Sequence, residues 1–328
     1  VDSFYALSGS AFAHIRPVDD LGERWQVNLF LHGKDTNCLA VDPKSKSTVY
    51  VGMRSSGLWK TVDEGRTWRD LRLPQMAVFS VAVSPVDGAV YAGCEPSRLW
   101  RSGDGGETWE ALDHLLKLPS APGWSFPPRP WTSHIRAIAL NPVDPQRLLV
   151  GIEKGGVMLS LDGGDTWMDH PKGAQRDAHA LAWHASQPLR AYEAGGDGTS
   201  WSLDGGLTWQ SIDEGRDRNY THGLAIDPED PDCWFVSAST SGGAAHGGLN
   251  AQAKIYRWHG AGPWQSVSDS ISAPLPAFPY ALVTRPGQVA AGMGNGQIYI
   301  SGDLGDHWQP LILEGDPIGN IHALAFGE

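Results

Sequence analysis

Three histidines, His179, His222 and His322, stand at matching places in three segments of a 328-residue chain that holds 12 histidines in all. Each lies five places before a turn that is often x-Pro. The same place in four other segments holds Asn37, Phe79, Arg136 and Tyr280, and two residues upstream stand Asp35, Ala77, His134, Asp177, Tyr220, Phe278 and Asn320. Strand residues two apart share a face, so both sets are expected to converge at one end of their strands. Arg54, Glu95 and Glu153 end the following strands at the same level. Neutral imidazoles from several strands, joined by a carboxylate, form a ligand set for one divalent metal such as Zn²⁺, Mn²⁺ or Fe²⁺. His179, His222 and His322 lead that set, His134 follows, and Asp177 or Glu153 supplies the acid. A metal-free alternative has His179, His222 or Tyr280 moving protons while Arg136 holds a substrate carboxylate. In a third reading the same residues are the hydrogen-bonded lining of a water-filled channel. No H-E-x-x-H or C-x-x-C motif is present, so the metal reading rests on the alignment of segments alone.

The elements that position these residues are announced by tryptophan. Trp25, Trp68, Trp109, Trp167, Trp209, Trp264 and Trp308 recur along the chain, and five of them close an S/T-x-D-x-G-x-T/H-W motif at 61–68, 102–109, 160–167, 202–209 and 301–308. Two degraded copies end at Trp25 and Trp264. A repeat of about 40–50 residues built from short strands is the signature of a β-propeller with one four-stranded blade per repeat. The aspartates suit turns: a short carboxylate accepts hydrogen bonds from the turn that follows, and the glycine takes positive φ. The tryptophan then opens the next strand and packs on the neighbouring sheet.

First strands are expected at 37–41, 79–83, 136–140, 179–183, 222–226 and 280–284. A seventh, 322–326, has no outer strands after it, whereas 4–9, 11–16 and 25–30 make three strands with no first strand before them. Joining the two ends removes an exposed sheet edge. The expected fold is therefore all-β: a single domain over 1–328, a seven-bladed β-propeller of four-stranded antiparallel blades, its ring closed by N-terminal strands pairing with the C-terminal strand.

The motif resembles the Asp-box of the BNR-repeat propellers, and the resemblance covers nearly the whole chain. Such propellers include sialidases, xyloglucan-cleaving glycosidases, the sorting receptor sortilin and photosystem II assembly factors. Fold alone does not carry function. A sialidase implies three arginines gripping a carboxylate and an early Arg-Ile-Pro element; here His14-Ile15-Arg16-Pro17 runs in another order, and Arg136 is the one arginine at the aligned places. The xyloglucan enzymes imply a cleft between two propellers, where this chain makes one. The assembly factors match best in size and ring closure, although their arginine-rich surface has no counterpart.

Two repeats are long. Residues 115–131 carry Pro119, Pro122, Trp124, Phe126, Pro127, Pro128, Pro130 and Trp131, and residues 240–253 form a Gly/Ala stretch around His246. In a propeller both insertions are expected over one mouth of the channel, where long loops on a rigid scaffold make binding walls. Trp124, Trp131 and His246 would wall a substrate pocket with Asp35, Asn37, Arg54, Glu95, Glu153, Asp177 and Tyr220.

The formal charge of −12, without a Lys/Arg cluster, argues against nucleic acid or anionic lipid as partner. No apolar run is long enough to span a membrane as a helix. No nucleotide cofactor is expected. Cys38, Cys94 and Cys233 are an odd number in different repeats, which favours burial or a reducing compartment; a cytoplasmic location is the expectation, with export if a leader was removed ahead of Val1. The functional expectation is an enzyme on a small polar or anionic, saccharide-like substrate, a metal-dependent lyase or hydrolase; the alternative is a binding scaffold without chemistry.

Overall fold

Short runs of β-branched, aromatic and small residues broken by turn sequences give strands of two to nine residues and little helix. The computed structural model describes residues 3–19, 22–126 and 132–327. Trp131 and Pro127, Pro128 and Pro130 of the first insertion lie outside them. Seven sheets form. Six contain four strands in chain order, with first strands Thr36–Asp42, Val78–Val83, Ile135–Leu140, Ala178–Trp183, Tyr220–Ile226 and Pro279–Arg285. The seventh joins the chain ends: Ala323–Phe326 pairs with Phe4–Leu7, which pairs with Phe12–Pro17 and that with Arg24–Phe30. These are the blades of a seven-bladed β-propeller. The seventh has one strand more than expected, because Ile312–Gly315 adds to Arg24–Phe30 in parallel and covers its outer edge.

The chain forms two compact units, one comprising Val1–Thr36, Thr61–Thr67 and Asp213–Glu328, the other Asn37–Lys60 and Trp68–Ile212. Within each, the core lies between neighbouring sheets. In the second unit Tyr91 and Leu99 of one sheet meet Ile135, Leu148 and Val150 of the next. In the first, Phe235 and Ile255 meet Leu282 and Val289.

All five motif turns are built alike. In the second copy Ser102 Oγ donates to Asp104 Oδ1 and accepts from Gly106 N, while Asp104 also accepts from Thr108 N and Thr108 Oγ1. Gly106 sits at φ 99°, which an L side chain rarely adopts. The tryptophan that follows fastens the turn to its surroundings: Trp109 Nε1 donates to Leu71 O of the preceding sheet at 3.2 Å, and Trp308 Nε1 to Val267 O at 2.7 Å.

One feature of the first strands was not apparent in the sequence. The register slips at Phe79, Arg136, His179 and Tyr280, each an extra residue between two paired ones, and at His222–Gly223, which together face Ser237. These β-bulges fall on the aligned place itself. A bulge leaves its residue out of the ladder and re-aims the side chain. The next residue commonly faces a glycine of the second strand, as in Ser80↔Gly93, Ala137↔Gly151 and Ala281↔Gly292. The bare Cα makes room for the neighbouring first strand: a Cβ on Gly93 would lie 2.5 Å from Ile135 Cγ2, and one on Gly292 2.5 Å from Ile321 Cγ2.

Candidate functional site

In the second unit the bulges bring a run of polar side chains together. His134 directly precedes Ile135–Leu140 and is buried, and its Nε2 donates to Glu153 Oε2 at 2.7 Å. On the other side of the ring, His134 Nδ1 lies 3.7 Å from Glu95 Oε2. Glu95 Oε1 accepts from Thr132 Oγ1 at 2.8 Å. The bulged Arg136 sets its Nε 3.7 Å from the same Glu153 oxygen. Phe79, the bulged residue of the preceding sheet, stacks on the His134 ring at 4.1 Å, Phe126 meets that ring edge-on at 4.9 Å, and the exposed Arg54 lies over Phe79 at 5.9 Å. Asn37, also buried, is tied to Val78 O at 2.9 Å.

The next sheet adds Asp177 and the bulged, buried His179, whose Nε2 lies 3.5 Å from Asp177 Oδ1. Asp177 Oδ1 accepts from Lys154 N at 3.2 Å, and its carbonyl from Gly196 N at 2.9 Å. One ligand atom each of Glu153, Asp177 and His179 lie within 4.8 Å of one another, a grouping able to hold a cation. Burial alone would push the Glu153 carboxyl up. The hydrogen bond from His134 and the charges of Arg136, His134 and His179 outweigh it and bring the pKa down to about 2, so Glu153 is a carboxylate at neutral pH.

The first unit gathers a different set. His222 and Tyr280 occupy bulges on adjacent first strands, and their rings meet edge-on at 5.6 Å. His246, from the second insertion, follows a single turn of helix, Gly242–Ala245, capped by Ser241. Its Nε2 bonds Tyr220 Oη at 2.8 Å, its Nδ1 bonds Tyr280 Oη at 3.1 Å, and Tyr280 Oη donates to Ala245 O. His322 is half-buried beside Gly9, and its N–H donates to Leu7 O at 3.1 Å. Asp35 is half-buried just ahead of Thr36–Asp42.

Glu95, His134, Arg136, Glu153, Asp177 and His179 thus lie together in one unit, and Tyr220, His222, His246 and Tyr280 in the other. Trp124 departs from its expected place on a pocket wall. It is buried in the core with Leu112, Leu115, Leu118 and Ile152, and its Nε1 donates to Ser120 Oγ, because the insertion folds into two short 3₁₀ turns that need an apolar base. Phe79 was visible only as the apolar member of the aligned set; its stacking on His134 follows from the bulge. Gln175, Glu193 and Lys154, which hold the Asp177 limb, carried no periodic signal. All three cysteines are free thiols, and burial pushes Cys38 up to about 12. Among the described residues no helix is long and apolar enough to cross a membrane.

No protein-family model and no curated protein matches the sequence. Solved structures do match in fold. A xyloglucanase of family GH74 from Xanthomonas campestris superposes with a TM-score of 0.64 at 17% identity, over 84% of this chain and 45% of its own. YCF48 from Cyanidioschyzon merolae gives 0.56 at 14% identity over 87% of this chain and 86% of its own. U3-55K gives 0.63 at 13% identity over 89% and 85%. The chain spans less than half of the xyloglucanase. The likeness is one of propeller fold, shared by glycoside hydrolases and by proteins of other kinds.

Proposed function

We propose that the second unit carries a hydrolytic site for a small polar or anionic, saccharide-like substrate, centred on one divalent cation held by Glu153, Asp177 and His179. The observation that carries this reading is the approach of three ligand atoms from two neighbouring segments to within 4.8 Å, one of them from a bulged position. Such a cation supplies Lewis acidity and a bound water acidified towards neutrality. The protein's own part is to place groups around it. Arg136 has the planar fork that binds a substrate carboxylate. His134, set between Glu153 and Glu95, is placed to pass a proton, and the rings of Phe79 and Phe126 shield it from water. That some neighbours in fold are GH74 enzymes supports hydrolysis over elimination.

Metal content of purified protein and Mn²⁺ titration of wild type, Glu153→Gln and His179→Ala test the proposal. One equivalent is expected in wild type, with binding lost in both variants while the melting profile stays cooperative. A wild-type protein that takes up no Mn²⁺ at millimolar concentration overturns it. A second reading, a binding scaffold without chemistry, is favoured by one observation: His134 and Arg136 already compensate Glu153 without any cation. YCF48 has been solved bound to a D1 peptide, so a propeller of this kind can take a chain segment as ligand. Metal-free protein that binds a peptide would establish that reading.

A further inference from the structure

Beneath the Asp177 limb lies a carboxyl that the proposed chemistry does not use. Glu193 sits in the middle of the strand Ala191–Gly195, paired across the sheet with Leu181 and Ser200, and is fully buried. Its Oε2 accepts from Gln175 N at 2.9 Å. Gln175 Nε2 in turn donates to Ser200 Oγ at 2.8 Å, and Ser200 Oγ lies 3.4 Å from Gly173 O. The hairpin therefore grips the segment before Asp177 from below through Glu193 and Ser200, and beyond it through Gly196 N on Asp177 O. The grip is close: a Cβ on Gly195 would stand 2.5 Å from Asp177 O and 3.3 Å from Gln175 Cβ.

We infer that Glu193 is a positioning residue for the cation site: it fixes the Gln175 backbone and so sets where the Asp177 carboxylate meets Glu153 and His179. The inference rests on the cation reading for its ligand but not for its geometry. Burial pushes the Glu193 carboxyl up to about 8, opposed among the described residues by the Gln175 amide and by no charged side chain. The acid is therefore protonated at neutral pH. Ionising it puts an uncompensated charge in the sheet, since its other oxygen, Oε1, has no hydrogen-bond partner among the described residues. The strut therefore loosens as the pH rises through about 8. Glutamine in its place keeps the acceptor for Gln175 N and cannot ionise; leucine keeps the bulk and loses the acceptor.

Mn²⁺ affinity and amide-exchange protection of residues 174–178 are measured for wild type, Glu193→Gln and Glu193→Leu at pH 6, 7 and 9. Glu193→Gln is expected to match wild type at pH 7 and to keep its affinity at pH 9, where wild type weakens. Glu193→Leu is expected to lose about 10–100-fold at every pH, the range for residues that support metal ligands, and to lose protection at 174–178 with the rest of the sheet intact. Wild-type protection in Glu193→Leu overturns the inference whatever the metal result. Wild type that binds no Mn²⁺ overturns the cation reading, and the exchange pattern still decides whether Glu193 is the strut.

Discussion

Burial of His14 beneath the Tyr5 ring, with Glu64 Oε2 3.8 Å from its Nδ1, fixes its protonation state. Desolvation favours the neutral imidazole, Glu64 opposes it, and Arg16 and Arg66 add to it, leaving the pKa lowered to about 4. In the unfolded chain the same group titrates near 6.5. The folded form therefore binds the proton more weakly, so this contribution to stability is complete above pH 6.5 and is lost as the pH falls towards 4. Thermal melts between pH 7 and 4 should show a decline of about 2–3 kcal/mol from this residue. His14→Gln should flatten the decline, and a variant as acid-sensitive as wild type would remove His14 as its source. Glu153 and Glu193 show the same principle with opposite results: Glu153 follows the strand Leu148–Ile152 and Glu193 lies inside Ala191–Gly195, and a paired imidazole and guanidinium keep the first ionised while burial without them leaves the second neutral.

The turns and bulges decide what each element can present. Asp162 accepts from Thr166 N at 2.8 Å, from Thr166 Oγ1 at 2.5 Å and from Ser160 Oγ at 2.9 Å; burial pushes its carboxyl up, and these bonds more than offset that, leaving its pKa lowered. Asp162→Ala should lower stability by about 1–2 kcal/mol, because the turn is exposed and water recovers part of the loss. Mn²⁺ binding per folded molecule should not change, and a loss of binding at wild-type stability would contradict the turn role. The second-strand glycines that a neighbouring first strand packs against give a graded test. A Cβ on Gly52 would stand 2.5 Å from Cys38 Sγ and 2.6 Å from Val78 Cγ1, whereas one on Gly151 meets Ala178 Cβ at 3.0 Å. Gly52→Val should therefore cost about 1–3 kcal/mol or more, and Gly151→Ala distinctly less; equal melting temperatures would refute the close-packing account. The strands were legible because x-Pro turns and the tryptophan motif punctuate the chain, so 136–140 became Ile135–Leu140 and 280–284 became Pro279–Arg285. The bulges were not, because a residue inserted into a ladder leaves no mark in a run such as Ala178–Trp183 that reads as an ordinary strand. The pairing of His134 with Glu153 depends on how the chain enters a bulged strand, which the aligned places show only as neighbouring positions.

At the scale of the molecule, the seventh sheet is the one that sequence-distant segments must assemble. The Phe4 ring lies tilted against Trp25 at 5.3 Å and against Phe326 at 5.0 Å, so residues more than 300 positions apart share one apolar layer with Ile321 and Leu324. The need for closure was readable from orphan strands at both ends. The parallel strand Ile312–Gly315 was not, since its partner Arg24–Phe30 lies nearly the whole sequence away and no local pattern marks a fifth strand. Removing residues 320–328 strips Phe4–Leu7 of one of its two hydrogen-bonding partners and uncovers the apolar layer. Ile321 alone is fully buried, a contribution of about 1.5–3 kcal/mol, and with the lost ladder and Leu324 the total approaches the whole stability of an ordinary domain, about 5–15 kcal/mol. An exposed strand edge is also a template for pairing with a second chain. The truncated protein should thus aggregate or melt far below wild type, as seen by light scattering and circular dichroism. Adding residues 320–328 back as a peptide should restore part of the melting temperature, because the lost strand is complete in itself. A truncated chain that stays monomeric and melts with the full-length protein would show that the seventh sheet stands without its C-terminal strand.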